Sequence, residues 1–166
     1  MKSRFGRVAL LSLFISACSP IRYLPPAPDP NMKLAPLFDL EGSPAFEKAL
    51  KVRTGTPARE KARIDYLLEV IGHSPYNFIR NGSRYTGKRA KAHFKWKYFR
   101  NRWQVKTAEA FMDRVSATSK VTGQPYLVEL GPERFYPLQP LLLRELKRFD
   151  EKLDSQQMSE KKQPLA

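Results

Sequence analysis

The chain contains one cysteine, Cys18, in 166 residues. A lone thiol excludes an intrachain disulfide and a cysteine-rich zinc site. The two histidines, His73 and His93, have no carboxylate beside them and make a poor zinc set. No phosphate-cradling glycine loop is present, and no segment repeats. Long apolar runs are missing as well. The run from Val8 to Ala17 is broken by serines and is shorter than the roughly 20 residues a spanning helix needs. The largest gap is in acid: no Asp or Glu lies between Val70 and Ala108.

What is present begins with an address. Lys2, Arg4 and Arg7 form a basic head, followed by the apolar run to Ala17. This is the order of a secretory signal peptide, here residues 1–17. Ile15-Ser16-Ala17-Cys18 resembles a bacterial lipobox. The resemblance implies that the Cys18 thiol takes a diacylglyceryl group, that the chain is cut before it, and that the new N-terminus is acylated. A cysteine suits that reaction because its thiolate is a strong nucleophile. One acyl chain holds only marginally, whereas several make a lasting anchor. Ser19 after the cysteine implies sorting to the outer membrane, facing the periplasm. An ordinary secretory signal with a stray cysteine is the plainer reading.

The formal net charge is +14, and loss of residues 1–17 leaves +11. Prolines crowd the stretch from Pro20 to Pro36. Residues 18–42 therefore read as the lipidated cysteine and an extended tether, or else as a strap packed on the domain. Residues 43–154 read as one small α+β domain, and residues 155–166 as a polar, flexible tail. With Cys18 acylated, the domain relies on apolar burial alone, about 25 cal/mol per Å².

Within the domain, Ser43-Pro44 and Thr56-Pro57 each pair a capping residue with a proline suited to a first helical turn. Ile64, Leu67, Leu68 and Ile71 mark one face of the second helix, and Gly72 is placed to end it. Asn81-Gly82, flanked by Phe78 and Tyr85, predicts a β-hairpin over about 76–86. Thr86 caps a helix to about Phe99, and a basic loop follows. Thr107 caps another helix, with Glu109 in its first turn and Ala108, Phe111, Met112 and Val115 as its buried stripe. A further strand is expected over about 125–130, then a helix from Leu138 to Leu153 burying Leu138, Leu142, Leu146 and Phe149. The fold class is thus α+β: four to five helices, one hairpin and one more strand.

Four stretches, FIRNGSRYTGKRAKAHFKWKY, KTAEAFMDRVSATS, TGQPYLVEL and LLLRELKRF, resemble the YfeK-like family of small exported bacterial proteins. Their order and spacing cover about residues 62–149. The most specific part is Phe78-Ile79-Arg80-Asn81-Gly82 with Tyr85, then His93, Lys97 and Thr107-Ala108-Glu109. The proline-rich segment and SPAFEKALKV lie outside it. That family has no established activity, so the resemblance implies export and the domain's limits and supplies no mechanism.

The acid-free window holds ten bases: Arg80, Arg84, Lys88, Arg89, Lys91, Lys95, Lys97, Arg100, Arg102 and Lys106. It also holds eight aromatics, among them Phe94, Trp96, Phe99 and Trp103. Charges of one sign repel one another and their fields add, so an anionic partner is expected. The plainer reading is a solvated face whose rings belong to the core. His93 and Lys97 are four apart and meet on one side of a helix, near the hairpin that carries Arg80 and Tyr85. Arg80, Tyr85, His93, Lys97, Lys91 and Lys95 are the candidate anion-binding residues. Against this stands a structural hydrogen-bond knot, with His93 on a backbone carbonyl and Lys97 extending outward. No catalytic residue, metal or cofactor is expected. Lipopolysaccharide, anionic phospholipid, peptidoglycan or an envelope protein are the expected partners, beside the membrane reached through the lipid. The other readings are an envelope hydrolase of peptidoglycan or phosphoester substrates using His93, and an exported nucleic-acid-binding protein.

Overall fold

The structure, a computed structural model, describes residues 29, 31–35 and 42–162. The residues expected to form a signal peptide and lipobox, with Cys18, lie outside the described residues. Five α-helices and four strands follow in the order α1 (Pro44–Leu50), α2 (Pro57–His73), β1 (Asn77–Arg80), β2 (Ser83–Tyr85), α3 (Gly87–Asn101), α4 (Ala108–Phe111), β3 (Leu127–Gly131), β4 (Arg134–Pro137) and α5 (Leu138–Lys162). The chain is a small α+β domain, as its patterning predicts.

Local chemistry sets the helix starts. The side chains of Ser43, Thr56, Thr86 and Thr107 each accept a hydrogen bond from a backbone N–H of the following turn. Such a bond satisfies one of the four donors that a helix start leaves unpaired. Pro44 and Pro57 stand at first-turn positions, where no N–H is needed. After Phe111 the helix widens into a π-turn over Met112–Ser116. Ala108, Phe111, Met112 and Val115 are all buried as the stripe predicts.

The sheet runs β2-β1-β3-β4 and is antiparallel throughout. Asn81 and Gly82 both have positive φ, 50° and 79°, the backbone of a two-residue turn that matches strand twist. Tyr85, Phe78, Val128 and Tyr136 are in register across the four strands. Phe78, Val128 and Tyr136 are buried, so this row faces the helices. Arg84, Asn77 and Glu129 lie on the opposite face, where Arg84 and Asn77 both donate to Glu129.

The sequence reading foresees one strand where the structure has the β3–β4 hairpin. β4 is four residues, is flanked by Pro132 and ends in Pro137. Proline demotes a strand in any pattern reading, and an edge position is where it is tolerated. α2 continues one residue beyond Gly72. α5 buries the foreseen Leu138, Leu142, Leu146 and Phe149 but continues through Lys162. The tail expected from 155 is helical to that point, since Gln156, Gln157 and Met158 are good helix formers and no glycine or proline lies between Ser155 and Pro164.

A segment expected to stand away as a tether in part lies on the domain. Leu34 and Ala35 are buried. The Leu34 N–H donates to Glu145 Oε1 at 2.7 Å, and Arg144 and Arg148 donate to the carbonyls of Asp29 and Met32. A leucine with an apolar groove within reach gains more by burial than by remaining extended in water.

One close approach positions the later site. A Cβ at Gly87 would lie 2.8 Å from the Ser74 carbonyl oxygen and closer still to that of Ile71. Only glycine lets α3 begin this tightly against the end of α2. α3 then turns Ala90, Phe94 and Lys97 inward and leaves Trp96 and Phe99 outside.

Candidate anion-binding site

β1, β2, α3 and the start of β3 enclose a cleft of about 220 Å³. Phe78, Tyr85, Ala90, Phe94 and Tyr126 supply its apolar walls, and Arg80, Arg89 and His93 its polar groups. Tyr126 packs edge-on against Phe94, ring centroids 4.9 Å apart. Arg89 lies over the Tyr85 ring at 5.5 Å. The hairpin therefore brings Arg80 and Tyr85 to the same opening as His93.

Behind the wall is Lys97, a buried lysine. Its Nζ donates to the Val115 carbonyl, to the Thr118 carbonyl at 3.1 Å, and to the Tyr126 hydroxyl at 3.3 Å. Val115 and Thr118 stand where the π-turn ends, and carbonyls at a helix C-terminus lack partners of their own. A cation there also meets the negative end of the helix dipole. Lys97 is thus a strut between α3 and the α4 segment. It points inward, contrary to the outward lysine of the plainer reading, because those carbonyls offer more than water at that depth.

Tyr126 relays this charge into the cleft. Its hydroxyl is 3.1 Å from His93 Nε2. Burial, then the charges of Arg80 and Lys97, lower the His93 pKa below 6.5. A neutral ring with Nε2 as acceptor follows, so Tyr126 accepts from Lys97 and donates to His93, leaving the ring proton on Nδ1. Burial, with Lys120 and Arg80 nearby, pulls the Lys97 pKa down to about 8. Burial raises that of Tyr126, with Arg80 opposing. The phenol therefore stays neutral and is a hydrogen-bond donor rather than a base.

Arg80 completes the electrostatics. Its Nε is buried with no hydrogen-bond partner among the described residues. Its charge acts on His93, Lys97 and Tyr126 alike, and no carboxylate contributes to the shifts of those three groups. A buried donor without a partner is costly. An anion beside Arg80 would offset the charge that, after burial, lowers the pKa values of His93 and Lys97. The cleft thus sets positive charge beside an apolar body.

Of the six residues that sequence singles out, Arg80, Tyr85 and His93 line the cleft and Lys97 stands one hydrogen bond behind it. Lys91 lies against Gly72 of α2, and Lys95 is exposed; neither lines it. Sequence reads Tyr126 as a strand residue within the family stretch TGQPYLVEL and Arg89 as one of the ten bases, and assigns neither to the site. Tyr126 is 33 residues from His93, and only strand pairing brings it in. Arg89 is legible as part of the basic run alone. The hydroxyls close to His93 in sequence are occupied elsewhere or exposed. Ser74 Oγ accepts from the Tyr76 N–H, Thr86 Oγ1 caps α3, and Ser83 is on the exposed edge strand. None forms a hydrogen bond with His93 among the described residues; the hydroxyl that meets the ring is that of Tyr126. No group of three potential metal ligands occurs among the described residues.

Fold and site define a class: a small α+β domain with a cation-lined cleft between a hairpin and a helix. A family model described as a family of unknown function, DUF5329, matches residues 58–150. This match exceeds half of the chain, and the chain belongs to that family. It spans α2 into α5 and includes every cleft residue, while α1 and residues 29–35 fall outside. The chain is also 36% identical over 70 residues to "Uncharacterized protein YfeK" of Salmonella typhimurium strain LT2, covering 42% of this chain and 58% of that protein. No solved structure matches.

Proposed function

We propose that this is a lipid-anchored protein of the bacterial cell envelope, held through Cys18 at the outer membrane and facing the periplasm. Its domain is a non-catalytic binding module. The cleft receives an anionic group, a phosphate or carboxylate, carried by an envelope component such as lipopolysaccharide, anionic phospholipid, peptidoglycan or a protein. The observation that carries this reading is the buried, unpartnered Nε of Arg80 at a cleft without a carboxylate. An arginine lining such a space can fork onto phosphate or carboxylate oxygens. The neutral His93, its Nε2 held by the Tyr126 hydroxyl, offers its remaining N–H as a directional donor, and Phe78 and Phe94 hold an apolar neighbour.

The test is binding of the full chain to purified lipopolysaccharide and to soluble peptidoglycan fragments at low and high salt. Arg80→Gln and His93→Gln, both folded by circular dichroism, are each expected to weaken binding about tenfold or more, the scale of one lost charge-assisted hydrogen bond. Unchanged binding in both variants removes the cleft from the reading. Radioactive fatty acid should label the protein and not its Cys18→Ala variant; labelling of neither, or of both alike, removes the anchor.

A further inference from the structure

The exit of α3 carries a second feature that the cleft does not use. Trp96, Phe99 and Trp103 are 54%, 65% and 76% exposed. Their spacing, three then four residues, sets them along one side of the helix and into the turn beyond it. Each ring has a cation over it. Arg100 lies 5.0 Å above Trp96, Arg102 lies 4.6 Å from Phe99 and 5.2 Å from Trp103, and Lys106 lies 5.1 Å from Trp103. None of these cations forms an ion pair with a carboxylate among the described residues.

Three large exposed rings in one row are uncommon on a soluble surface and mark a contact. The core does not need them, since the opposite side of α3 supplies Ala90 and Phe94 to it. We infer that this row, Trp96, Phe99 and Trp103 with Arg100, Arg102 and Lys106, docks on the headgroup layer of an anionic lipid bilayer.

Three observations favour a bilayer over other anions. The charge is complementary and of one sign: no acid interrupts the sequence from Val70 to Ala108, and basic segments are drawn to anionic headgroups. The chemistry is layered: an indole has an apolar body and a polar N–H, suited to the boundary between acyl chains and water, while the arginines reach phosphate. The row also stands out from a helix end instead of lining a groove, a shape that meets a flat surface. Trp96 stacks beside His93, ring centroids 6.1 Å apart, so docking would hold the cleft next to the membrane. The inference does not depend on the cleft's ligand or on acylation.

The chain's two tryptophans both belong to this row, so intrinsic tryptophan fluorescence reads the patch alone. The experiment uses the full chain carrying Cys18→Ala, with vesicles of phosphatidylcholine mixed with phosphatidylglycerol, brominated near the headgroup end of the acyl chains. The expected result is a blue shift and quenching on anionic vesicles, reduced by salt and much weaker on phosphatidylcholine alone. Arg102→Glu with Lys106→Glu is expected to weaken partitioning about tenfold or more. Phe99→Ser, at an exposed site that leaves the core intact, is expected to weaken it several-fold. Vesicle association without quenching would place the contact elsewhere on the chain and overturn the inference. So would quenching by a single-stranded oligonucleotide when anionic vesicles have no effect.

Discussion

Two inward-facing cations in this domain are matched in opposite ways. Arg63 of α2, its side chain 14% exposed, meets Glu60 at 2.9 Å, Glu109 at 2.6 Å and Asp150 at 2.8 Å. These contacts tie α2 to α4 and α5. Glu60 also accepts the Ala108 N–H at 2.9 Å, at the start of α4. Burial alone would lower the Arg63 pKa, but hydrogen bonds to Asp150 and Glu109 and the charges of Asp150 and Glu60 hold it above its ordinary value. Lys97 of α3 has carbonyls and a phenol for partners and other cations for neighbours, and its pKa falls to about 8. The first cluster is complete within the chain. The second satisfies its hydrogen bonds and leaves its charge unanswered. The difference is between charge matched within the chain, which holds helices together, and charge left uncompensated beside an unpartnered donor, on which the proposed binding rests.

The comparison breaks first, and hardest, at Arg63. Arg63→Met would leave three carboxylates converging with no cation between them. The cost is expected to be about 3 kcal/mol, short of the upper end for a fully buried pair because Glu109 and Asp150 are partly exposed to water. Urea unfolding measures it. Binding of anions at the cleft should not change in the protein that remains folded. The wild-type cluster also fails in acid. Although burial opposes it, the hydrogen bond from Arg63 lowers the Glu109 pKa below its ordinary 4.5. Its contribution is therefore present above 4.5 and lost as pH falls through the folded value. A loss of less than about 1 kcal/mol on Arg63→Met, the scale of an exposed pair, would mean the two clusters do not differ in this way.

Lys97 gives a smaller effect with the opposite pH signature. Lys97→Met removes the donor to Val115, Thr118 and Tyr126 while also removing a charge that burial disfavours. The net loss is expected to be about 1–2 kcal/mol near neutral pH. The folded pKa of about 8 lies below the ordinary 10.5. Between those values the unfolded chain binds more protons, so wild-type stability gains from Lys97 deprotonation as pH rises through that window. The variant should lack this gain, and urea midpoints measured across the window in both proteins show it. Equal slopes would mean that Lys97 carries no uncompensated charge.

Much of the first cluster's scaffold and part of the second are legible in the order of residues alone. Capping threonines, paired prolines and the Asn81-Gly82 turn are local signals, and each sets its own element. Phe111, Met112 and Val115 obey helical spacing even though the helix widens there, because a π-turn shifts the face by less than one residue's arc. Strand pairing and helix crossing bring together what no local pattern encodes. Arg63 and Asp150 are 87 residues apart, and nothing near either predicts the other. Tyr126 reads as one more residue of a strand until β3 pairs with β1 and sets it beside His93. The absence of acid from 71 to 107 is the one long-range clue in plain view. It marks the region of the cleft and the aromatic row without separating the two.

The finest separation of the clusters is in the pH dependence of ligand binding. An anion in the cleft favours the protonated forms of His93 and Lys97, so it raises pKa values that burial and neighbouring cations have lowered. The complex then binds more protons than the free protein, and affinity falls as pH rises, by at most about tenfold per pH unit for each group. Two limbs are expected. One belongs to His93, whose pKa is lowered by burial and by the charges of Arg80 and Lys97 and is raised again by an anion. The other belongs to Lys97 and begins near 8. His93→Gln should erase the lower limb and leave the upper one, which titration calorimetry in buffers of different ionisation enthalpy would show as proton uptake lost at acid pH alone. Arg63 contributes to neither limb, because its carboxylates already hold its proton. An affinity flat across both ranges would place the anion beyond reach of His93 and Lys97, and would leave Arg80 and Arg89 as its cationic contacts.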